Sequence, residues 1–284
     1  MHGALLLFCL AQTEMPADTQ AADTQAKAVQ GRIQTRTYEF KEARQKMEYT
    51  LYVPNSYDKR RKSPLIVALH GLASNPRHII RYPGLITQAE KHGYIVVAPM
   101  GYNPYGWYGS RGLGAQRLID PDNLGELSEK DVMNVLAIVR AAYHIDDRRI
   151  YLLGHSMGGS GAWHLAIKYP NIWAAISPIA PATVHVPDTL SKARHIPVIV
   201  VQGDKDKLVH STRRWVAKMK QLEMEHRYIE VAGGGHLRIA FQHFPEIFAF
   251  FNRHTRPLAQ SDGTGIDGTG AEDKASRGTS SGAR

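Results

Sequence analysis

The sequence predicts an α/β protein built on an eight-stranded, mostly parallel sheet flanked by helices. Two observations carry this expectation. Through the middle of the chain, short apolar runs alternate with amphipathic stretches, the βα pattern of a sheet wrapped by helices. Ahead of that alternation stand two further strand patterns. In the second, Tyr49, Leu51 and Val53 alternate with polar neighbours, as in an antiparallel strand with one buried face.

Taken in order, residues 35–40 and 47–53 read as the opening antiparallel pair. Residues 65–69, behind Pro64, are continuously apolar, as a strand buried on both faces should be. Residues 94–98, 150–153, 174–179, 198–201 and 227–231 have similar character and complete the eight. Helices are expected over 85–92, 128–143, 157–169, 212–223 and 237–252. Ser128 reads as an N-cap, with Val132, Val135, Leu136 and Val139 on one face behind it. The 157–169 helix follows a Gly-rich turn and stops before Pro170. In sheets of this kind ligands bind beyond the carboxyl ends of the strands, so the residues following each strand carry the functional expectation.

Composition narrows the classes. The 284 residues are 43% hydrophobic and 21% charged, which allows a large buried core. One domain is expected over residues 31–255. Residues 1–30 read as a flexible leader, with ADTQ at 17–20 and again at 22–25, and residues 256–284 as a disordered, Gly/Ser/Thr-rich tail. The net charge of +9 falls mainly on the central region. No basic run interleaved with aromatics accompanies it, so no nucleic-acid partner is expected. A basic surface that favours anionic surroundings accounts for the charge. The single cysteine, Cys9, allows no intramolecular disulfide and no cysteine metal cluster. The apolar run at 4–10 is too short to span a bilayer. As a possible signal remnant it points to a secreted or periplasmic location, and to the cytoplasm otherwise.

The strongest motif follows the fifth strand: Gly154-His155-Ser156-Met157-Gly158, a G-x-S-x-G turn between an apolar strand and a helix. A turn that sharp excludes side chains two residues either side of the serine, which accounts for both glycines. It lifts the Ser156 hydroxyl above the sheet and aims the first helix amides at a reacting carbonyl. A serine hydroxyl needs a base beside it. Of fourteen histidines, His236 alone follows the last strand on a flexible loop, behind Gly233-Gly234-Gly235. His243 and His254 fall on or after the final helix, and His210 follows the seventh strand, where an acid is expected. That acid is Asp206 or Asp204. Asp206 is favoured because it lies three residues after Gly203 and three before the apolar Val209. Asp204 would then be a turn residue.

Two amides are expected to form an oxyanion hole: that of Met157, next after the serine, and that of Leu72 in His70-Gly71-Leu72. His70 reads as a brace for this loop. The loop after the fourth strand, residues 101–109, crowds four aromatics into a segment bordering the expected mouth. Trp107, Tyr108 and Tyr105 are its candidate substrate contacts. His155, within the turn, is a fourth candidate, with packing beneath the turn as the alternative. Trp163 is expected in the core.

On Leu69-His70-Gly71, on YHIDDRRIYLLGHSMGGSGAW over 143–163, on GDKD over 203–206 and on GGGH over 233–236, the sequence resembles the α/β-hydrolase superfamily. Within it, the chain is similar to serine esterases of the polyhydroxybutyrate depolymerase and feruloyl esterase kind. The resemblance runs from about residue 35 to 252. It implies an α/β-hydrolase catalytic domain, the nucleophile–acid–base order Ser156, Asp206, His236, and no metal or organic cofactor. Only about eighteen residues, 180–197, separate the sixth and seventh strands, too few for a cap domain. An open cleft follows, so the expected activity is hydrolysis of short-acyl or aromatic carboxylic esters through an acyl-enzyme. The substrate would be a small or polymer-linked ester, and no stable membrane insertion is expected. Alternatives are a polyester depolymerase, a single-domain serine peptidase similar to the prolyl oligopeptidase catalytic domain, and a non-catalytic binding module of the same fold.

Overall fold

A single eight-stranded sheet runs through the protein, and its order explains where chemistry can occur. The computed structural model describes residues 29–112, 117–183 and 187–257. The expected leader and tail lie outside the described residues, apart from the few that adjoin the domain. The strands are β1 (Ile33–Phe40), β2 (Gln45–Tyr52), β3 (Ser63–Leu69), β4 (Ile95–Pro99), β5 (Ile145–His155), β6 (Ala175–Ile179), β7 (Val198–Gly203) and β8 (His226–Val231). They lie side by side in the order β1-β2-β4-β3-β5-β6-β7-β8. β1 pairs antiparallel with β2, and β2 antiparallel with β4; every other pairing is parallel. The chain steps from β3 to β4 on one side and returns to β5 on the other. The crevice between the carboxyl ends of β3 and β5 is therefore the switch point at which such sheets bind ligands.

Helices cover both faces. α3 (Leu124–Ala142), α4 (Met157–Lys168) and α5 (Val209–Gln221) pack on one; α1 (Pro76–Ile79), α2 (Leu85–His92), α6 (Ile239–Gln242) and α7 (Phe244–Phe251) pack on the other. The strand side chains divide accordingly. Leu65, Val67 and Leu69 of β3 enter the α3–α4–α5 core, and Ile66 and Ala68 enter the other. Val198 and Val200 of β7 alternate with Ile199 and Val201 in the same way. A strand with helices on both faces has no polar face, which is why these runs are continuously apolar. Trp163 lies in the first core with its ring 4.7 Å from that of Trp215.

Two helix limits depart from the sequence expectation. α3 begins at Leu124, so Ser128 lies inside it instead of capping it. The Ser128 hydroxyl accepts the Tyr108 amide at 3.0 Å and anchors the 101–109 loop. The segment expected as one helix over 237–252 is two, interrupted at His243. Pro245 has no amide hydrogen to continue a helix, but fits the first turn of a new one. β5 is also longer than its apolar run, because Ile145 still pairs with Ser63 at the start of β3, ahead of a register shift that takes up the polar Asp146–Arg149 stretch. Between β6 and β7 the described residues form only a short 3-10 segment (Pro187–Ala193). No described helix is long and apolar enough to cross a membrane.

Candidate active site

Ser156 follows the last residue of β5 and caps α4 with φ 58° and ψ −114°, a conformation that costs a non-glycine residue about 1–3 kcal/mol. The surrounding packing enforces it. A Cβ on Gly154 would overlap the Gly158 carbonyl, and one on Gly158 would overlap the Leu69 carbonyl. The turn therefore closes on itself and on the end of β3, with no room for a side chain at either glycine.

Three side chains from three strand ends meet here. His236 Nε2 lies 2.9 Å from Ser156 Oγ, and His236 Nδ1 lies 2.7 Å from Asp206 Oδ2. An ionised carboxylate only accepts, so Nδ1 carries the hydrogen. The Nε2 lone pair is left to face the serine hydroxyl. Asp206 is 6% exposed. Burial pushes its pKa up, but hydrogen bonds from His236, the Leu208 amide (3.1 Å, to Oδ1) and the Gln202 side chain (2.9 Å, to Oδ2) outweigh this and hold it below the usual carboxylate value. Asp204 makes no hydrogen bond to His236 among the described residues. Its amide donates to the Val231 carbonyl, and one of its carboxylate oxygens is buried without a hydrogen bond among the described residues. The acid and base loops are pressed together at Gly203, where a Cβ would overlap the Gly234 carbonyl.

The β3 loop reaches the same point. An added Cβ on Gly71 would stand 3.5 Å from Ser156 Cβ, so the backbone leading to Leu72 runs directly beside the serine. The next two amides are engaged elsewhere, Ala73 to the Pro104 carbonyl and Ser74 to that of Gly71. The Met157 amide is the first of α4 and has no acceptor within its own helix. His70 is fully buried and spans the Gly71 and Met100 carbonyls, each at 2.8 Å, tying the β3 and β4 loops together.

The remaining candidates are placed differently. Tyr108 is completely buried; its ring packs against Gly101 and Gly161, and its hydroxyl donates to the His70 carbonyl at 3.3 Å. It has no surface to offer a substrate, because the glycines that free this loop from regular structure also let the ring fold inward. Trp107 is 7% exposed, with the Arg111 guanidinium 3.9 Å from its ring centre. Tyr105 keeps more surface, although Arg117 lies 4.0 Å over its ring and is itself paired with Asp120 at 2.7 Å. His155 is buried beneath the turn and does not face the cleft. Its Nε2 lies 3.0 Å from the His236 carbonyl, which only accepts, so Nε2 carries the hydrogen and Nδ1 accepts from the Tyr82 hydroxyl at 2.9 Å. Burial lowers its pKa to about 4, so it stays neutral. Its position is beneath the base, holding that backbone.

Sequence reasoning missed Gln202, Thr212 and Tyr82, which are recognised only once the fold brings them together. It also missed Leu237, and the side chain of Leu72. Both leucines are among the few exposed large apolar residues, and each follows a loop residue that touches Ser156 or stands against it. A bulky apolar residue in an otherwise Gly-rich loop was the available signal. Among the described residues there is no group of three or more His, Cys, Asp or Glu arranged to hold a metal ion.

Residues 41–250 match the family described as "Putative esterase". The chain belongs to this esterase family. Among curated relatives it is 31% identical to S-formylglutathione hydrolase of Rattus norvegicus over 147 residues, covering 48% of this chain and 52% of that one. It is 30% identical to the bifunctional acetylxylan esterase/xylanase of Neocallimastix patriciarum over 149 residues, 52% of this chain and 20% of the other. With feruloyl esterase B of Neurospora crassa it shares 30% identity over 128 residues, 44% of this chain and 40% of the other. The chain thus spans about half, or less, of the length of these curated relatives. Among solved structures, an S-formylglutathione hydrolase from Agrobacterium tumefaciens superposes with a TM-score of 0.65 at 17% identity, over 80% of this chain and 97% of that one. A ferulic acid esterase superposes with the same score and identity, over 79% and 98%. The fold is the α/β-hydrolase fold.

Proposed function

We propose that the protein is a serine carboxylesterase acting on short-acyl or aromatic esters through an acyl-enzyme. The observation that carries this reading is the continuous hydrogen-bonded line Asp206–His236–Ser156 at the switch point of the sheet. Ser156 attacks the ester carbonyl while His236 Nε2 takes its proton. The Met157 and Leu72 amides stabilise the oxyanion, and His236 returns the proton to the departing alcohol. Water, activated by the same nitrogen, then releases the acid. Asp206 holds the imidazole tautomer and offsets its charge when protonated.

Support for the substrate class comes from the short β6–β7 connection, which leaves no segment large enough for a lid over a long acyl chain, and from the names of the relatives. Those names cover formyl, acetyl and feruloyl groups. Exposed Leu72 and Leu237 supply apolar contact beside the serine, and Tyr105 is the ring with most remaining surface in the aromatic loop.

The test is hydrolysis of p-nitrophenyl esters from acetyl to palmitoyl, together with methyl ferulate and S-formylglutathione, by the protein and by Ser156→Ala. Turnover should peak on short acyl groups or on ferulate and vanish in the variant. A palmitoyl optimum or undiminished turnover by Ser156→Ala contradicts the proposal.

A further inference from the structure

The polar chain that ends at Ser156 does not begin at Asp206. Thr212 Oγ1, on the first turns of α5, donates to Gln202 Oε1 at 2.8 Å. Gln202 Nε2, at the end of β7, donates to Asp206 Oδ2 at 2.9 Å and to the Gly203 carbonyl at 3.2 Å. Asp206 Oδ2 is also the oxygen that accepts from His236 Nδ1. Gln202 is fully buried and Thr212 nearly so. Four hydrogen bonds therefore run in line from the packed interior to the serine hydroxyl.

We infer that Gln202 is a positioning residue for the acid–base pair, and that Thr212 locks the side-chain amide of Gln202 in its working orientation. An amide has a donor end and an acceptor end of nearly equal size, so packing alone cannot decide which end faces Asp206. The decision lies with Asp206 and the Gly203 carbonyl, which only accept and so face Nε2. The Thr212 hydroxyl, which can donate or accept, supplies a hydrogen to Oε1 and holds that orientation in place. The reverse orientation would set a carbonyl oxygen against two acceptors, which is disfavoured in a buried site. With the amide locked, Asp206 receives Gln202 and His236 on one oxygen and the Leu208 amide on the other. The carboxylate plane is thereby fixed, and with it the direction in which His236 Nε2 points. A networked polar cluster in a dry interior is where such orientation is strongest.

This inference rests on the proposed role of the Asp206–His236–Ser156 line. The experiment compares kcat and KM on a p-nitrophenyl ester for the intact protein and for Gln202→Leu, Gln202→Glu, Thr212→Val, Thr212→Ser and Ser156→Ala. Rates of the variants that keep Ser156 are normalised to the fraction titrated by a fluorophosphonate, and that of Ser156→Ala to protein shown folded by circular dichroism, so that misfolded protein does not count. Loss of a hydrogen bond to a charged group should lower kcat in Gln202→Leu by roughly ten- to a hundredfold, with KM changed by less than about threefold. Thr212→Val should show a smaller loss of the same kind, and Thr212→Ser should restore the rate because the hydroxyl returns.

Gln202→Glu gives the readout that a merely structural role would not move. A protonated Glu can donate to Asp206 as the amide does, whereas an ionised one repels it. Burial and the neighbouring carboxylate both raise that acid's pKa. Activity relative to the unchanged protein should therefore decline as pH rises from about 6 to about 9. Gln202→Leu with unchanged kcat, or Gln202→Glu with a pH-independent ratio, overturns the inference while leaving the esterase reading intact. Undiminished turnover by Ser156→Ala instead overturns the reading beneath it.

Discussion

The two loop systems that meet at the serine are built on different principles. On the acid–base side, the loops after β7 and β8 are held by glycine-tight backbone contact at Gly203 and by hydrogen bonds to both oxygens of Asp206. Across the cleft, the loop after β4 is rich in aromatics, with Tyr102, Trp107 and Tyr108 all at positive φ. Its rings are divided between the core and guanidinium partners. On the proposed reading, chemistry depends on the first side, where atoms must be fixed to within about 0.5 Å. Substrate fit is assigned to the second and to the two exposed leucines, where tolerance is wider. A change on the acid–base side should therefore act on kcat, and a change on the aromatic side on KM.

The largest effect tests the first half of that contrast. His236→Ala should lower kcat by about ten-thousandfold or more, since members of such a unit fail together. Asp206→Asn should approach the same loss by favouring the wrong imidazole tautomer, whereas Asp204→Asn should change kcat by less than about threefold. Equal losses in the two aspartate variants would contradict the assignment of roles. Gly203→Val follows in size. Its side chain would force the β7 and β8 loops apart, so stability should fall by about 1–3 kcal/mol and kcat should fall with it, measured by denaturant unfolding and turnover.

His155 sets a third expectation, through pH. Its folded pKa of about 4 lies below the ordinary 6.5. The unfolded chain therefore binds this proton first, and stability present above about pH 6.5 is lost as pH falls through about 4. The contribution is of order 3 kcal/mol. In His155→Gln the loss of thermal stability between those pH values should be visibly smaller. The smallest effects belong to the aromatic loop. Tyr105→Ala should raise KM for methyl ferulate a few-fold, while Tyr108→Phe, changing a buried hydroxyl, should alter stability by about 1 kcal/mol and leave KM unchanged. A KM effect at Tyr108 with none at Tyr105 would reverse the account of this loop.

The same contrast explains what could be read in the sequence. Strand order of function, the elbow glycines and the positions of Ser156 and His236 follow from local pattern and chain order, because a sharp turn and a parallel sheet each leave a mark at fixed spacing. The placement of Tyr108 does not. Four aromatics in a Gly-rich loop look alike in sequence, and only the packing of Gly101 and Gly161 determines which ring turns inward. Ser128 misled for a related reason: a serine before an amphipathic run has the composition of a cap, yet its hydroxyl is engaged by the Tyr108 amide from a distant loop. Gln202 and Thr212 were invisible because a glutamine ending a strand and a threonine on a helix have no local signature. Their meaning arises from the contact between β7 and α5.

The most direct measurement is reaction of the protein with a fluorophosphonate probe, followed by peptide mapping. One adduct per chain, carried on Ser156, is expected, with strongly slowed labelling in His236→Ala. A well-folded protein that takes no adduct, or takes it on another residue, would contradict the claim that Ser156 is the activated nucleophile.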